Sequence, residues 1–321
     1  MKRRELIAAG AAFGLAAPAL AQGGWPTRGV RVIVPFAPGG SVDTMARLTA
    51  QKLQDRLGQP FVVENRAGGN GAVGGIAVAQ APADGHTLCF SASVQTLARL
   101  VMRNPGYDPI TDLDPIARVG QGPLLLIMAP QRPQTTLQEV VAAIRANPRD
   151  WSFATSALGA AGHLATIEFI RVLGVELPIV SYRGTSPALA DLFTDRIQLM
   201  FDPMLATVPP VRAGRVKALA ITAARRSPAT PDVPTTAEAG MPSVDLHSWW
   251  GYWGPRQTPE EVKARMGEAL RAIMAEPEVT ERTTSLGIEA LFEGAAQFAQ
   301  FIRRDFERSQ ELLRLANFQP E

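Results

Sequence analysis

Short runs of glycine, alanine and serine stand where predicted strands give way to predicted helices. Three of these runs cover residues 38–41, 67–71 and 155–162. A glycine-rich helix start leaves backbone N–H groups unpaired at the positive end of the helix dipole. Such groups bind a carboxylate or a phosphate without help from Arg or Lys. The sequence therefore predicts anion-binding loops, although each loop taken alone is also typical of a simple connector.

The motifs of the common enzyme classes do not occur. The sequence contains no Walker A pattern, no His-Glu-x-x-His and no Gly-x-Ser-x-Gly. Its three histidines, His86, His163 and His247, are far apart and lie in unrelated contexts. We therefore assign no catalytic residue, no metal site and no cofactor.

One stretch, residues 69–74, matches the Gly-x-Gly-x-x-Gly pattern of dinucleotide-binding loops. A dinucleotide site also needs an acidic residue near the end of the next strand, where it binds the ribose hydroxyls. That strand is predicted to end at residues 91–93, which include no acid. An NAD-linked oxidoreductase is therefore only an alternative, beside an exported hydrolase that would use a serine with His163 and an acid.

Composition limits the class of protein. The chain has 321 residues, 46% of them hydrophobic and 19% charged, which is enough for two cores of ordinary size. Its net charge is +2, and Lys2, Arg3, Arg4 and Glu5 carry that excess. The rest is neutral, so nucleic acid is not a predicted partner. The single cysteine, Cys89, excludes an internal disulfide and a Cys-rich metal site.

The first residues have the three parts of a secretory signal peptide. Residues 1–5 are basic, residues 6–20 are apolar, and Ala19-Leu20-Ala21 is a small-x-small cleavage site. The apolar run is shorter than the roughly 20 residues that cross a bilayer. We expect residues 1–21 to direct export to the periplasm, and Arg3-Arg4 leaves the twin-arginine route open.

Strand-like and helix-like patterns alternate along the chain, which predicts parallel α/β construction. The first strand is predicted at Val30–Val34. Helical spacing then runs from Val42 and stops at Gly58, a typical C-terminal cap. The chain is predicted to end in an amphipathic helix over Ala295–Leu315.

Two capping boxes mark later helix starts. Thr136 with Glu139 opens one helix, and Thr258 with Glu261 opens another, where Pro259 takes the first helical position. In such a box the threonine side chain accepts a backbone N–H of the first helical turn, and the glutamate side chain accepts the backbone N–H of the threonine.

The length and the similar patterns in both halves favour two α/β domains. We expect residues 25–123 and 245–321 to form domain I and residues 124–244 to form domain II. In open parallel sheets the ligand lies beyond the carboxyl ends of the strands. The loops of the two domains would therefore face each other across a cleft.

Several motifs occur together and in order along the chain. They lie at residues 34–47, 63–71, 155–164, 182–188, 191–192, 201–202, 232–235 and 250–251. In these motifs the sequence resembles the Bug family, the extracytoplasmic solute receptors of tripartite tricarboxylate transporters. The resemblance covers the whole chain after the signal peptide.

The resemblance implies a two-domain periplasmic binding protein of type II, a Venus flytrap whose domains are sheets flanked by helices. A small organic carboxylate would bind in the cleft, held by backbone groups of residues 38–42 and 156–162. It also implies a non-enzymatic receptor that serves a two-component membrane permease and does not itself insert into the membrane. We expect a monomer, and a ligand sensor for a membrane kinase is the alternative.

The candidate ligand-binding residues lie in these loops and at the ends of predicted strands. They are Phe36, Pro38, Gly39, Gly40, Ser41, Val42, Asp43, Gly69, Asn70, Ser91, Ser93, Thr155, Ser156, Ala157, Gly159, Ala160, Ala161, His163, Arg183 and Asp202.

Four of these candidates have competing interpretations. Asp43 is also typical of a carboxylate at a helix start, and His163 of a packing residue. Arg183 could pair with a second ligand carboxylate or be solvated. Asp202 follows a predicted strand and is expected to face the cleft.

One departure from the family pattern bears on the ligand. Many relatives have Gly-x-Gly-Ser/Thr-Ser before the histidine, whereas this chain has Ala157-Leu158-Gly159-Ala160-Ala161. Two hydroxyl groups are replaced by methyl groups, so the pocket is expected to be drier. This favours an aromatic or partly apolar carboxylate over citrate.

Overall fold

The computed structural model describes residues 24–241, 244 and 246–321, so the predicted signal peptide lies outside the described residues. The strands are β1 (Val30–Val34), β2 (Phe61–Asn65), β3 (Thr87–Ala92), β4 (Leu113–Met128), β5 (Phe153–Thr155), β6 (Ile179–Ser181), β7 (Leu199–Pro203), β8 (Lys217–Ile221), β9 (His247–Pro255) and β10 (Glu289–Gly294). The helices are α1 (Ser41–Leu57), α2 (Ala72–Ala79), α3 (Ser93–Val101), α4 (Leu137–Ala146), α5 (Ala161–Leu173), α6 (Thr185–Leu192), α7 (Met204–Arg212), α8 (Glu260–Met274), α9 (Pro277–Thr284) and α10 (Ala295–Leu315).

The long strand β4 connects two sheets. The order is β2-β1-β3-β9-β4-β7-β5-β6, with β8 and β10 also paired to β4. Residues 113–123 of β4 pair with β9, and residues 124–128 pair with β7 and β8. We call the part built on β1, β2, β3, β9 and β10 the first lobe, and the part built on β5 to β8 the second lobe.

The sheets combine the predicted parallel α/β construction with antiparallel strands. β1 pairs in parallel with β2 and β3, and β5 with β6 and β7. In contrast, β9 runs antiparallel to both β3 and β4. Nearly every residue of β9 is buried, including Trp249 and Trp250 in the core. It therefore lacks the alternation of polar and apolar residues by which a strand is recognised in a sequence.

Two helices connect the lobes by packing. Leu97 and Val101 of α3, together with Leu313 of α10, lie in the same apolar cluster as Leu126 and Phe153 of the second sheet. Near its start α10 packs on the first lobe, where Phe298 contacts Trp249 and Trp253. Within the described residues no helix is long and apolar enough to span a bilayer.

Local sequence signals gave several boundaries correctly. β1 and α10 have the predicted bounds. α1 begins at Ser41, one residue before the predicted start. It is capped after Leu57 by Gly58, which adopts the left-handed conformation (φ 72°) that glycine allows without strain.

The two predicted capping boxes differ in outcome. Thr136 accepts the backbone N–H of Glu139, whose side chain accepts the N–H of Thr136, so the first box is confirmed. The second is wrong: α8 begins at Glu260 without a side-chain cap. The Thr258 hydroxyl instead donates to the Pro255 carbonyl, 2.6 Å away. Thr258 lies one residue too far from the start of α8 to cap it, and its hydroxyl bonds to the last residue of β9 instead.

The Thr136 cap supports a first prediction. Thr136→Ala leaves the Glu139 N–H at the start of α4 without its side-chain acceptor, so the free energy of unfolding should fall by about 1 kcal/mol. Urea unfolding followed by circular dichroism measures the change. Gln138→Ala, at an exposed position of the same helix, is the matched control and should stay within about 0.5 kcal/mol of the parent. Equal losses in both variants would contradict the role of the cap.

Candidate functional site

A cavity lies between the two lobes. Of the residues predicted from the sequence, those that line it are Phe36, Gly40, Ser41, Val42, Asp43, Ser93, Ser156, Ala157, Ala160 and Ala161. They come from the loops after β1, β3 and β5. The cavity therefore lies at the carboxyl ends of these strands, where open α/β sheets bind their ligands.

The N-termini of five helices meet at this cavity. Each helix follows a strand directly: α1 and α3 in the first lobe, and α5, α6 and α7 in the second. The residues at these starts that line the cavity include Ser41, Ser93, Ala161, Thr185 and Pro203. No side chain caps any of the five starts. Their first N–H groups carry partial positive charge, so both lobes present anion-binding polarity to one space.

Close packing brings α5 to the cavity wall. A Cβ atom added to Gly162 would lie 2.0 Å from the carbonyl oxygen of Phe201, so only glycine allows α5 to start this close to β7. The loop that precedes α5 is held in shape by its own residues. Thr155 Oγ1 donates to the Ala157 carbonyl over 3.0 Å, and Gly159 adopts a left-handed conformation (φ 78°).

The buried side chain of His163 also bonds to the backbone of this loop. The side chain is 1% exposed, and its Nδ1 accepts the Gly159 N–H over 3.1 Å. Burial lowers the pKa of His163 to about 4, so the ring is neutral near pH 7. Thr155, Gly159 and His163 thus shape the loop and do not line the cavity.

Direct hydrogen bonds join the lobes around the cavity. The Asn70 side chain donates to the Leu158 carbonyl (2.9 Å) and accepts the Leu158 N–H (2.8 Å). Ser93 Oγ donates to the Gly159 carbonyl (3.3 Å). At the cavity mouth the Ala37 N–H donates to the Arg183 carbonyl (3.0 Å). These bonds describe a closed arrangement of the two lobes.

Several predicted residues lie beside the cavity. Pro38 accepts the Ser186 hydroxyl across the mouth at 3.0 Å. Gly69, Asn70 and Arg183 line a second cavity, together with Phe36 and Leu158. Ser91 is fully buried in β3, and its hydroxyl has no partner among the described residues.

Asp43 lies at the start of α1 and is held on three sides. Its carboxylate accepts the Gly39 N–H (2.9 Å), the Arg47 guanidinium (3.0 Å) and the Asn65 side-chain amide (2.9 Å). Burial acts to raise the pKa of Asp43, but these hydrogen bonds outweigh it and hold the pKa below its usual value. Asp43 is therefore ionised at neutral pH.

Asp202, at the end of β7, lies behind the cavity wall with 0% exposure. Its Oδ2 accepts the Thr185 hydroxyl over 2.8 Å, whereas Oδ1 is buried with no partner among the described residues. Burial raises the pKa of Asp202 to about 7, against the opposite effect of the Thr185 and Ser156 hydroxyls. Two residues that act on Asp202, Ser156 and Thr185, themselves line the cavity.

Some lining residues were not predicted. They are Ala37, Ala92, Val94, Gly184, Thr185, Pro203 and Ser248, whereas Gly162, which also lines the cavity, belongs to the predicted loop 156–162. Gly184 and Thr185 precede Pro187, which lies in the first turn of α6, so a helix-start signal could have found them. Ser248 had no such signal, because its position depends on how β9 pairs with β4.

The raised pKa of Asp202 supports a second prediction. A carboxyl group with a higher pKa in the folded state than the usual 3.8 stabilises the fold at low pH and loses that contribution as pH rises towards 7. Asp202→Asn copies the neutral form. The variant should therefore gain stability relative to the parent between pH 4 and 7, by at most about 1.4 kcal/mol per pH unit.

Urea unfolding at unit steps from pH 4 to 8 measures this difference. Asp232→Asn, which removes an exposed carboxylate, is the control and should follow the parent at every pH. A pH-independent difference between Asp202→Asn and the parent would show that Asp202 is ionised throughout.

Comparisons with known proteins agree with this geometry. Residues 45–318 match the family model described as "Tripartite tricarboxylate transporter family receptor" (TctC). Protein BugT of Bordetella pertussis is 35% identical over 300 residues, which cover 93% of this chain and 92% of BugT.

Solved structures are similar over nearly the whole described chain. The periplasmic binding protein BugD superposes with a TM-score of 0.88 at 33% identity, over 92% of this chain and 100% of that structure. Rpa4515 of R. palustris, solved with adipate, superposes with a TM-score of 0.89 at 34% identity, over 92% and 100% of the two chains. These matches confirm the two-domain periplasmic binding protein fold. The chain belongs to the TctC family of tripartite tricarboxylate transporter receptors, as its Bug-like motifs predicted.

Proposed function

We propose that this chain is a periplasmic receptor that captures one small organic carboxylate and delivers it to a membrane permease of the tripartite tricarboxylate type. The convergence of five uncapped helix N-termini on one cavity carries this proposal. A carboxylate accepts several N–H bonds at once and is stabilised by the dipoles behind them. The adipate in Rpa4515, a relative at 34% identity, supports the same ligand class.

Capture depends on contact with both lobes. α1 and α3 offer N–H groups from the first lobe, and α5, α6 and α7 from the second. A ligand that touches both lobes has a higher affinity for the closed form than for the open form, and this difference drives closure. The bonds between Asn70 and Leu158 then add to the stability of the closed form.

We propose that the receptor works without catalysis. A hydrolase needs a histidine nitrogen that reaches the hydroxyl of the nucleophile. Nδ1 of His163 is used by the Gly159 N–H, and the side chain lies behind the loop. In the glycine-rich stretch, the Asn70 side chain is bonded to Leu158 of the other lobe. These contacts disfavour both the hydrolase and the NAD-linked oxidoreductase.

The domain division belongs to the same proposal. Residues 25–123 with 245–321 would form domain I, and residues 124–244 domain II. The change of partner along β4, from β9 to β7 after residue 123, supports this division. A monomer of this kind, exported through residues 1–21, would dock on the permease in its closed form.

A ligand panel tests the proposal. Thermal unfolding is followed with mono-, di- and aromatic carboxylates of three to eight carbons, each beside its primary amide. At least one carboxylate should raise the melting temperature, and its amide should not, because only the anion stabilises the folded state through the N–H groups. No shift with any member, or equal shifts with acid and amide, would contradict the carboxylate receptor.

Two proline variants test the backbone donors directly. Ser41 and Ala161 are the first helical residues of α1 and α5, where proline fits a helix and removes one N–H group. The residues before them are extended (ψ 177° and 154°), as a following proline requires. Ser41→Pro and Ala161→Pro should each weaken binding of the tightest carboxylate by about tenfold or more.

The matched controls keep the N–H group. Ser41→Ala removes only the hydroxyl, and Ala161→Val adds apolar bulk at the same place. Both should bind more tightly than the proline variants, as measured by isothermal titration on chains with parent-like circular dichroism. Equal losses in proline variants and controls would assign the effect to shape and not to the N–H groups.

A further inference from the structure

Residues 316–321, which follow α10 and which we call the tail, turn back onto the second lobe. Asn317 adopts the left-handed conformation (φ 51°). Its N–H donates to the Arg314 carbonyl (3.1 Å), and the Phe318 N–H donates to the Leu313 carbonyl (3.0 Å). This pair of bonds is a Schellman motif, which an apolar contact commonly accompanies. Phe318 packs accordingly on the apolar cluster of the second lobe to which Leu313 belongs.

The tail is attached at two points. The Phe318 ring meets the His163 ring edge to face, with the centroids 5.2 Å apart and the planes at 77°. Three residues further on, the Glu321 N–H donates to the Val101 carbonyl (3.1 Å), and the Arg103 N–H donates to the Glu321 carbonyl (2.9 Å). Val101 is the last residue of α3. The tail therefore joins the end of α3 to His163 of α5.

The same two elements enclose Gly159 of the cavity loop. On one side His163 Nδ1 accepts the Gly159 N–H over 3.1 Å. On the other side, a Cβ atom added to Gly159 would lie 3.2 Å from Cβ of Leu97 and 3.3 Å from a methyl group of Val101. Ser93, at the start of α3, donates its hydroxyl to the Gly159 carbonyl over 3.3 Å. Gly159 is therefore held between α3 and His163, and the tail connects these two elements.

The shape of this loop determines how the cavity presents its N–H groups. Ala160, Ala161 and Gly162 follow Gly159 directly and line the cavity where α5 begins. A loop that already has its binding shape loses less conformational entropy when the ligand binds, so the affinity is higher. The described lining of the cavity includes no residue of the tail. An element that holds Gly159 can thus change the affinity without contacting the ligand.

We propose that the tail is a positioning element for ligand binding. By joining α3 to His163, it holds Gly159, and with it the first N–H groups of α5, in the geometry that binds the carboxylate. This inference rests on the proposed function, because a carboxylate is the ligand whose affinity the tail sets. Phe318 and residues 319–321 are positioning residues in this arrangement.

Two variants release the tail at different ends. Phe318→Ala removes the ring that packs on His163, and a chain that ends at Phe318 loses the bonds of Glu321 to Val101 and Arg103. Each should weaken binding of the tightest carboxylate of the panel by about fivefold or more in isothermal titration, because the loop must then be ordered on binding. The two changes combined should weaken binding little more than the stronger of them alone, because both release the same tail.

Two controls separate positioning from stability. Gln319→Ala changes an exposed residue of the tail and should bind like the parent. Phe298→Leu removes packing against Trp249 near the start of α10. It should lower the melting temperature but leave the affinity unchanged. All chains are compared at a temperature where their circular dichroism is parent-like.

Amide chemical shifts of the ligand-free, ¹⁵N-labelled protein test the hold on Gly159 directly. In the chain that ends at Phe318, the Gly159 amide proton should move upfield, because its bond to His163 Nδ1 becomes longer and weaker. The Thr222 amide, which donates to the Leu124 carbonyl over 3.0 Å in the second lobe, should keep its position.

The outcomes distinguish this inference from the proposed function. Parent-like affinity in both tail variants, or a Gly159 amide that keeps its position, overturns the role of the tail but leaves a carboxylate receptor. An equal loss of affinity in Phe298→Leu assigns the effect to general stability and also overturns that role. If no carboxylate of the panel binds the parent, the proposed function fails, and the amide shifts of the ligand-free protein still decide whether the tail holds the loop.

Discussion

Unpaired backbone N–H groups at helix starts are the constraint on which the rest of this structure depends. Five helices begin at one cavity without a side-chain cap. Uncapped starts cost stability, and the cost is largest where water is displaced from the N–H groups. An anion that binds these N–H groups removes this cost. The free energies of the empty and the ligand-bound receptor therefore differ most at the helix starts. Small residues are required at the cavity wall because only they let a helix start pack this closely on a neighbouring strand, as Gly162 of α5 does against β7.

The two buried carboxyl groups set the balance of charge around these donors. Arg47 neutralises the charge of Asp43. Asp202 is fully buried and has no cationic partner in the described part of the chain. The wall between them is apolar or neutral. Hydrogen bonds between the lobes, such as those of Asn70 with Leu158, stabilise the closed arrangement beside the cavity.

Much of this could be predicted from the sequence, for physical reasons that differ by element. β1, α1 and α10 have clear periodicity and glycine or strand-end signals, so their bounds were predicted within one residue. The small-residue loops correctly predicted about half of the residues that line the cavity, because helix starts have local sequence signatures. β9 was missed because it is buried almost throughout, and Ser248 with it. Asn70 was predicted to contact ligand, but its side-chain amide bonds Leu158, a contact across the lobes that no local pattern encodes.

In the proposed receptor, N–H groups from both lobes bind the same anion. Amide chemical shifts of the deuterated, ¹⁵N-labelled chain, recorded while the tightest carboxylate of the panel is added, test it most directly. We expect the amides of Ser41 and Val42 in α1 and of Ala161 and Gly162 in α5 to shift downfield together along one saturation curve. Shifts confined to one lobe, or strong binding that leaves these amides unchanged, would contradict it.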